Sequence, residues 1–320
     1  MAQNKSRKKQ IQIHRLLLHK MIAYIGVLAI LFCAVNLARA AVQGKRAETE
    51  KLISSRNGVI GEIEIETESA TRIPEATQAL SAVQDAIAAG EFNLQTSAEK
   101  IEYIERHSEE YPEELIELLS RNVEAVDFIY SYPNLVSNGL NTREYGLDIR
   151  LSDKEIKQEY PLLLQWDPRW GAIPYGSSNI ALSGCGPTCI AMVAAALIGD
   201  DSATPAAVAD YAESQGYYRT GIGTDWKLIT EGCEKYGLKA NVISLSEHVM
   251  AKHIQNNEMI ICSVTKGDFT QSGHFIVIYG YKNGRFLVND PNSIARSDET
   301  WSFDRLAGQI RNLWALAPAD

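Results

Sequence analysis

One cysteine, one histidine and one aspartate of this 320-residue chain lie in local sequences that could build a nucleophile, its base and a group that orients the base. Cys185 lies in Ser183-Gly184-Cys185-Gly186-Pro187-Thr188-Cys189, followed by the apolar, alanine-rich run from Ile190 to Ile198. Proline suits the first turn of a helix, where its missing N–H would have no intrahelical partner. The spacing therefore predicts Cys185 at, or just before, a helix N-terminus, whose partial positive charge favours thiolate over thiol. The flanking glycines allow a tight turn and leave room for a substrate chain, which makes Gly184 a candidate substrate contact. The same heptapeptide also fits a buried cysteine at a helix start. A hairpin supplies the base. His274 begins the strand pattern His274–Tyr281, Asn283-Gly284 is a strong two-residue turn signal, and Arg285–Asp290 reads as the return strand. Counted from the turn, His274 and Asp290 are nearly level on neighbouring strands, within reach of an imidazole–carboxylate hydrogen bond. Gly273 and Pro291 mark the strand ends. Taken singly, His274 reads as a strand-end histidine and Asp290-Pro291-Asn292 as a turn; together with Cys185 they read as a triad.

The remaining cysteines carry less. Cys189 follows Cys185 by one helical turn, but no second ligand pair accompanies this Cys-x-x-x-Cys spacing, so neither metal nor other cofactor is expected. Cys189, Cys233 and Cys262 have apolar neighbours and read as core residues, with a Cys189–Cys233 disulfide left open. Cys33 belongs to an apolar run. Trp226, after Gly223-Thr224-Asp225, lines a substrate cleft or packs in the core.

The elements that must position these residues are helices first and strands later. Lys154 to Asp320 form the main domain. Thr204 before Pro205 marks the helix after that of Cys185, and a further helix holds Trp226, Ile229 and Cys233 and ends at Tyr236-Gly237. Met259–Val264 adds a third strand to the hairpin. Residues 133–154 are rich in turn formers and mark the boundary. Residues 75–132 read as a helical prefix: Thr96 and Glu99 fit a capping box, and Pro112 opens a helix with Leu115, Leu118, Leu119, Asn122, Val123 and Val126 along one face. Residues 41–74 read as a charged stalk, with a short strand at Ile60–Ile65.

Residues 1–46 hold nine Lys or Arg and no acid, so the rest of the chain carries 22 basic against 40 acidic residues, a net −18. So acidic a body repels nucleic acid, which is excluded as a partner. After the basic head, 1–20, the stretch 21–38 is apolar apart from Asn36 and long enough to cross a bilayer. The excess of positive charge before it predicts a single-pass protein with its body outside the cytoplasm. The other reading of 21–40 is a signal peptide cut after Ala38-Arg39-Ala40, which would leave a secreted protein.

Four motifs occur in order: Gln165-Trp166-Asp167-Pro168-Arg169-Trp170-Gly171, Gly184-Cys185-Gly186-Pro187-Thr188, Gly273-His274-Phe275-Ile276-Val277 and Asn289-Asp290-Pro291. Together they resemble the papain-fold cysteine peptidases related to the bacteriocin-processing, double-glycine-leader peptidases, in the stand-alone peptidase-like branch. The resemblance covers about the last half of the chain. It implies an α+β, papain-like domain, with a helical half followed by an antiparallel sheet. It implies Cys185 as nucleophile, His274 as base, Asp290 as its orienter, and Gln165 as an oxyanion-hole donor beside the Cys185 backbone N–H. Trp166, Gly184, Trp226 and Gly273 are the candidate substrate contacts. The leader-processing members are joined to ABC transporters and work from the cytoplasmic side. This chain has no Walker motif and one apolar segment, with the domain expected outside. The expected activity is a membrane-anchored extracytoplasmic cysteine peptidase that hydrolyses a peptide or isopeptide bond through an acyl-enzyme. The alternatives are an amidase or transpeptidase acting on cell-wall peptides, and a catalytically idle binding module that keeps the cleft as a docking groove.

Overall fold

The structure is a computed structural model and describes residues 97–319. The apolar run 21–38, the stalk 41–74 and residues 75–96 of the prefix, with Thr96 of the expected capping box, lie outside this range. Among the described residues no helix is long and apolar enough to cross a membrane.

The chain enters through helices α1 (Ser97–Arg106), α2 (Glu113–Arg121) and α3 (Val126–Ser137). Pro112 fixes the extended residue before α2, Glu113 and Glu114 occupy its positive end and Arg121 its negative end. Leu115 and Leu118 are buried from one face of α2, against Ile104, Phe128, Ile129, Trp166 and Ala181. The spacing predicted that Asn122 and Val123 continue that face, but they do not. The helix stops at Arg121 because the Asn122 side chain accepts from Glu124 N–H and starts a new turn, which leaves Val123 exposed. The turn-rich segment 133–154 is largely helical as well: α3 runs through Pro133, and α4 (Arg143–Asp148) follows under a Thr142 cap.

Helix α5 (Cys185–Leu197) is apolar all round, with Gly186 through Ala195 buried, so it is a core helix and not a surface one. Its alanines let α6 (Pro205–Ser214) and the sheet approach closely. The Thr204 side chain accepts from Ala207 N–H, as the cap before Pro205 predicted. A short helical turn and a 3-10 helix follow and end at Gly237, whose left-handed backbone (φ +70°) suits glycine.

The sheet consists of β1 (Leu238–Val242), β2 (Met259–Thr265), β3 (Gly273–Lys282), β4 (Arg285–Asn289), β5 (Thr300–Trp301) and β6 (Ile310–Pro318), in the antiparallel order β1-β6-β2-β3-β4-β5. Helix α7 (Glu247–Gln255) separates β1 from β2. Strand β2 is buried from Met259 to Val264 because apolar layers cover both sheet faces. Ile261, Val277 and Trp314 pack with α5, whereas Met250 of α7 packs with Ile260, Ile276 and Ile278. The β3–β4 turn has positive φ at Asn283 (+55°) and Gly284 (+73°), the type I′ geometry that matches strand twist.

One feature of this hairpin differs from the expected register. The pairing shifts between Ile278 and Gly280, so Val277 stands opposite Asn289. Continued by one residue, position 290 falls opposite Ile276, two residues from His274. Without the bulge it would fall opposite Val277, three from His274 and on the other side of the pleat. The bulge thus sets His274 and Asp290 diagonally on one side.

Candidate active site

Cys185 is the first residue of α5. Its backbone N–H is one of those that a helix leaves without an intrahelical carbonyl. The glycine before it cannot carry a side chain, since a Cβ on Gly184 would lie 2.6 Å from Ile180 O; one on Gly186 would lie 2.9 Å from Thr224 Cβ. Both glycines therefore serve close packing at the helix start. Cys185 is half-buried, whereas Cys189, Cys233 and Cys262 are buried; all four are free thiols, so Cys189 and Cys233 are not paired. Burial pushes the Cys189 thiol far up, helped by the nearby Cys185 and Asp290. Burial likewise pushes Cys233 up to about 12 and raises Cys262. These three stay protonated and inert at neutral pH.

His274, the second residue of β3, is buried. Its Nε2 lies 2.7 Å from Asp290 Oδ1, which leaves Nδ1 for Cys185, the other group that interacts with the ring. Burial by itself would push the imidazole down. The Asp290 carboxylate and then Cys185 outweigh it and hold it up at about 10. At neutral pH this ring is an imidazolium beside the Cys185 sulfur.

Asp290 is fully buried, and both of its carboxylate oxygens accept hydrogen bonds. Oδ1 also accepts from Asn292 N–H (2.8 Å), and Oδ2 accepts from Arg296 Nε (2.5 Å). Burial would raise this carboxyl, but His274 and Arg296 together hold it below its ordinary value. Its own N–H donates to Ser297 Oγ at 2.9 Å. Arg296 was absent from the sequence-based set. Its signal, an arginine six residues after the aspartate in a helical turn capped by Ser293, emerges only once that turn (α8, Ile294–Ser297) is known.

Gln165 is buried and lines the same cleft as Cys185 and His274. Its backbone N–H donates to Pro291 O at 2.7 Å, which ties it to the Asp290 turn. Nε2 donates to Ala181 O at 2.6 Å, while Oε1 has no protein partner. A carbonyl oxygen could not face Ala181 O, so the amide is oriented and its second N–H remains available.

The cleft measures about 550 Å³. Gln165, Cys185 and His274 meet in it with Gly273 and the loop before it, and α2 supplies a further wall through Glu114, Leu118 and Arg121. The other expected substrate contacts are not among its lining residues. Trp166 is buried and donates to Asn292 O at 3.3 Å, so it braces the Asp290 turn. Gly184 is a packing glycine. Trp226 stands half-exposed with its ring edge on Trp314, centroids 5.5 Å apart, which is the packing role its sequence context also allowed. Among the described residues no cluster of His, Cys, Asp or Glu has the makings of a metal site.

A model of the Peptidase_C39 like family matches residues 157–317. The chain belongs to the Peptidase_C39-like family. Membership points to cysteine peptidase chemistry and to a peptide or protein as substrate. No curated protein matches the chain. Among solved structures, it is similar to the peptidase domain of Streptococcus ComA, a bifunctional ABC transporter involved in a quorum-sensing pathway. Identity is 22%, 50% of this chain and 98% of that one are covered, and the TM-score is 0.37. The Streptococcus mutans ComA peptidase domain, in complex with a small-molecule inhibitor, is 21% identical over 50% of this chain and all of that one, with a TM-score of 0.32. In this Peptidase_C39-like chain all four proposed catalytic residues fall inside the matched range. Helices α1 to α4 fall outside it, although α2 walls the cleft.

Proposed function

We propose that this chain is a membrane-anchored, extracytoplasmic cysteine peptidase acting through Cys185, His274 and Asp290. One observation carries the reading: a half-buried cysteine at the start of a core helix faces an imidazole that a buried carboxylate holds in its cationic form.

The Cys185 thiolate attacks the substrate carbonyl carbon, and the carbonyl electrons move onto oxygen. The Cys185 N–H and the second Gln165 Nε2–H are the proposed donors to that oxyanion. His274 Nδ1–H gives its proton to the leaving amine as the C–N bond breaks, and a thioester remains. Water then adds to the thioester with His274 as base, and Cys185 leaves as thiolate. Asp290 keeps Nε2 protonated and holds the ring in plane, with Arg296 fixing the carboxylate from its other oxygen. The basic head and the apolar run 21–38 support the anchored, outward-facing placement.

The test is full-length protein in detergent against a broad peptide library. Cleavage by the wild type and none by Cys185→Ser is expected. A wild type that alkylates rapidly at Cys185 but cleaves nothing would favour a binding module.

A further inference from the structure

The turn that carries Asp290 is gripped from outside the family match. Asn292 links the two sides: its N–H donates to Asp290 Oδ1 at 2.8 Å, and its carbonyl accepts from Asn122 Nδ2 at 2.5 Å. Asn122 is held in that orientation because its own Oδ1 accepts from Glu124 N–H at 3.1 Å. The Glu124 carboxylate then takes the other end of the turn. It accepts from Ser293 Oγ at 2.7 Å, Ile294 N–H at 2.6 Å and Ala295 N–H at 3.3 Å. Ser293 Oγ in turn accepts from the backbone N–H of Arg296 at 3.1 Å, and the Arg296 side chain holds Asp290 Oδ2. Both oxygens of the buried carboxylate are thus tied to the short segment between α2 and α3, Oδ1 through Asn292 and Oδ2 through Arg296 and Ser293.

We propose that Asn122 and Glu124 are positioning residues for the peptidase reaction, holding the 290–297 turn so that Asp290 stays on His274. The helices that precede the family match then form part of the catalytic unit. This rests on the peptidase reading above. It differs from simple fastening of the prefix in what it predicts for the histidine. The charged and titratable groups that bear on His274 are Asp290 from the end of β4, Cys185 from α5 and, through Asp290, Arg296 from α8. If the turn loosens, the carboxylate recedes and burial prevails, so the imidazole loses its cationic preference. Fastening alone would change melting temperature and leave the ring's titration in place.

The experiment uses full-length Glu124→Ala, Glu124→Gln and Asn122→Ala, with Glu105→Ala on the exposed side of α1 as control. His274 is followed by histidine NMR across pH, Cys185 by iodoacetamide labelling at neutral pH, and turnover by library-derived peptide. The wild-type ring should titrate at about 10. Glu124→Ala and Asn122→Ala should bring that midpoint down by roughly one pH unit or more and cut kcat roughly tenfold, KM changing much less. Glu124→Gln keeps an acceptor oxygen without the charge and should fall between. Glu105→Ala should match wild type. Folded Glu124→Ala and Asn122→Ala proteins with a native His274 midpoint and native labelling would overturn the proposal, whatever their melting temperatures. A wild type without turnover would sink the peptidase reading, and the NMR titration would still judge the positioning claim.

Discussion

Replacing Asp290 by Asn tests the electrostatics of the site most directly. His274 is held at about 10, against an ordinary 6.5, although burial opposes the cation. The substitution keeps shape and one acceptor oxygen but removes the charge that overcomes burial. It also leaves the Arg296 guanidinium, previously bound to Asp290, without its counter-charge near the ring. The imidazole should therefore titrate at 6.5 or below. At ~1.36 kcal/mol per pKa unit, the lost preference for the cation is about 5 kcal/mol. At pH 8 a group of pKa 6.5 is only about 3% protonated, so the general acid becomes scarce by about thirtyfold before any loss of orientation. In a serine triad, amidation of the orienting carboxylate lowers kcat by about 10⁴, and an effect between these limits is expected. The alkaline limb of turnover should move from about 10 toward 6.5 or lower. Stability follows with a definite sign. Since the folded pKa of His274 is raised, its contribution is complete below about 6.5 and disappears as pH rises through about 10. Asp290, whose folded pKa is lowered, contributes above about 3.8 and loses that contribution as pH falls through its depressed value. The wild type should therefore lose melting temperature between pH 6.5 and 10, and Asp290→Asn should lose much less over that interval. Histidine NMR and thermal melts across pH provide the readings. An Asp290→Asn protein whose His274 still titrates near 10 would refute the reasoning, as would a wild-type ring that titrates near 6.5.

Gln165→Ala should reduce turnover by about 10²–10³ through loss of an oxyanion donor, with the His274 titration unmoved. It also strips Ala181 O of its donor, at a cost of about 1–3 kcal/mol, so the melting temperature should fall by several degrees; unchanged turnover would end the oxyanion assignment. Cys185→Ala should abolish rapid iodoacetamide labelling at neutral pH and Cys189→Ala should leave it, because Cys189 is buried and its thiol pushed far up; the reverse pattern would name the other thiol. Protease added to intact cells should digest the acidic body beyond residue 41 and spare the basic head, and a body protected until lysis would overturn the outward topology.

What could be read from the chain before its structure is what contiguous residues specify. Gly-Cys-Gly-Pro before an apolar run announces the start of α5, and Asn283-Gly284 between two apolar segments announces the β3–β4 hairpin, because helix starts and two-residue turns are local events. The pairing of His274 with Asp290 followed from the hairpin, but only nearly. The bulge after Ile278 decides on which side of the pleat the aspartate falls; its one local mark is Gly280, where a Cβ would lie 2.8 Å from Leu287 Cδ1. Trp226 had two readings and its sequence context could not choose between them; the partner its ring packs on, Trp314, is on a strand 88 positions later. The support around Asp290 was the least legible of all. Asn122 and Asn292 lie 170 residues apart, Glu124 and Ser293 169, and no local pattern pairs them.

That distribution has a physical logic. A carboxylate that is fully buried persists as a charge only where several donors converge on it. Local sequence supplies two of those donors, Asn292 N–H and Arg296 Nε, because both lie in the turn that follows Asp290. A turn so short has little apolar surface of its own to hold it: Ser293 is buried, yet Ile294 is exposed. It therefore needs an external clamp, and hydrogen bonds to its backbone provide one whatever side chains the turn carries. Residues 122 to 124 meet that need between two helices whose own core includes Trp166 and Ala181. The same two helices thus share a core with the Gln165 segment and hold the Asp290 turn. A displacement of this prefix would reach the proposed oxyanion donor and the proposed base together, while the cysteine at the start of α5 would keep its place in the central core.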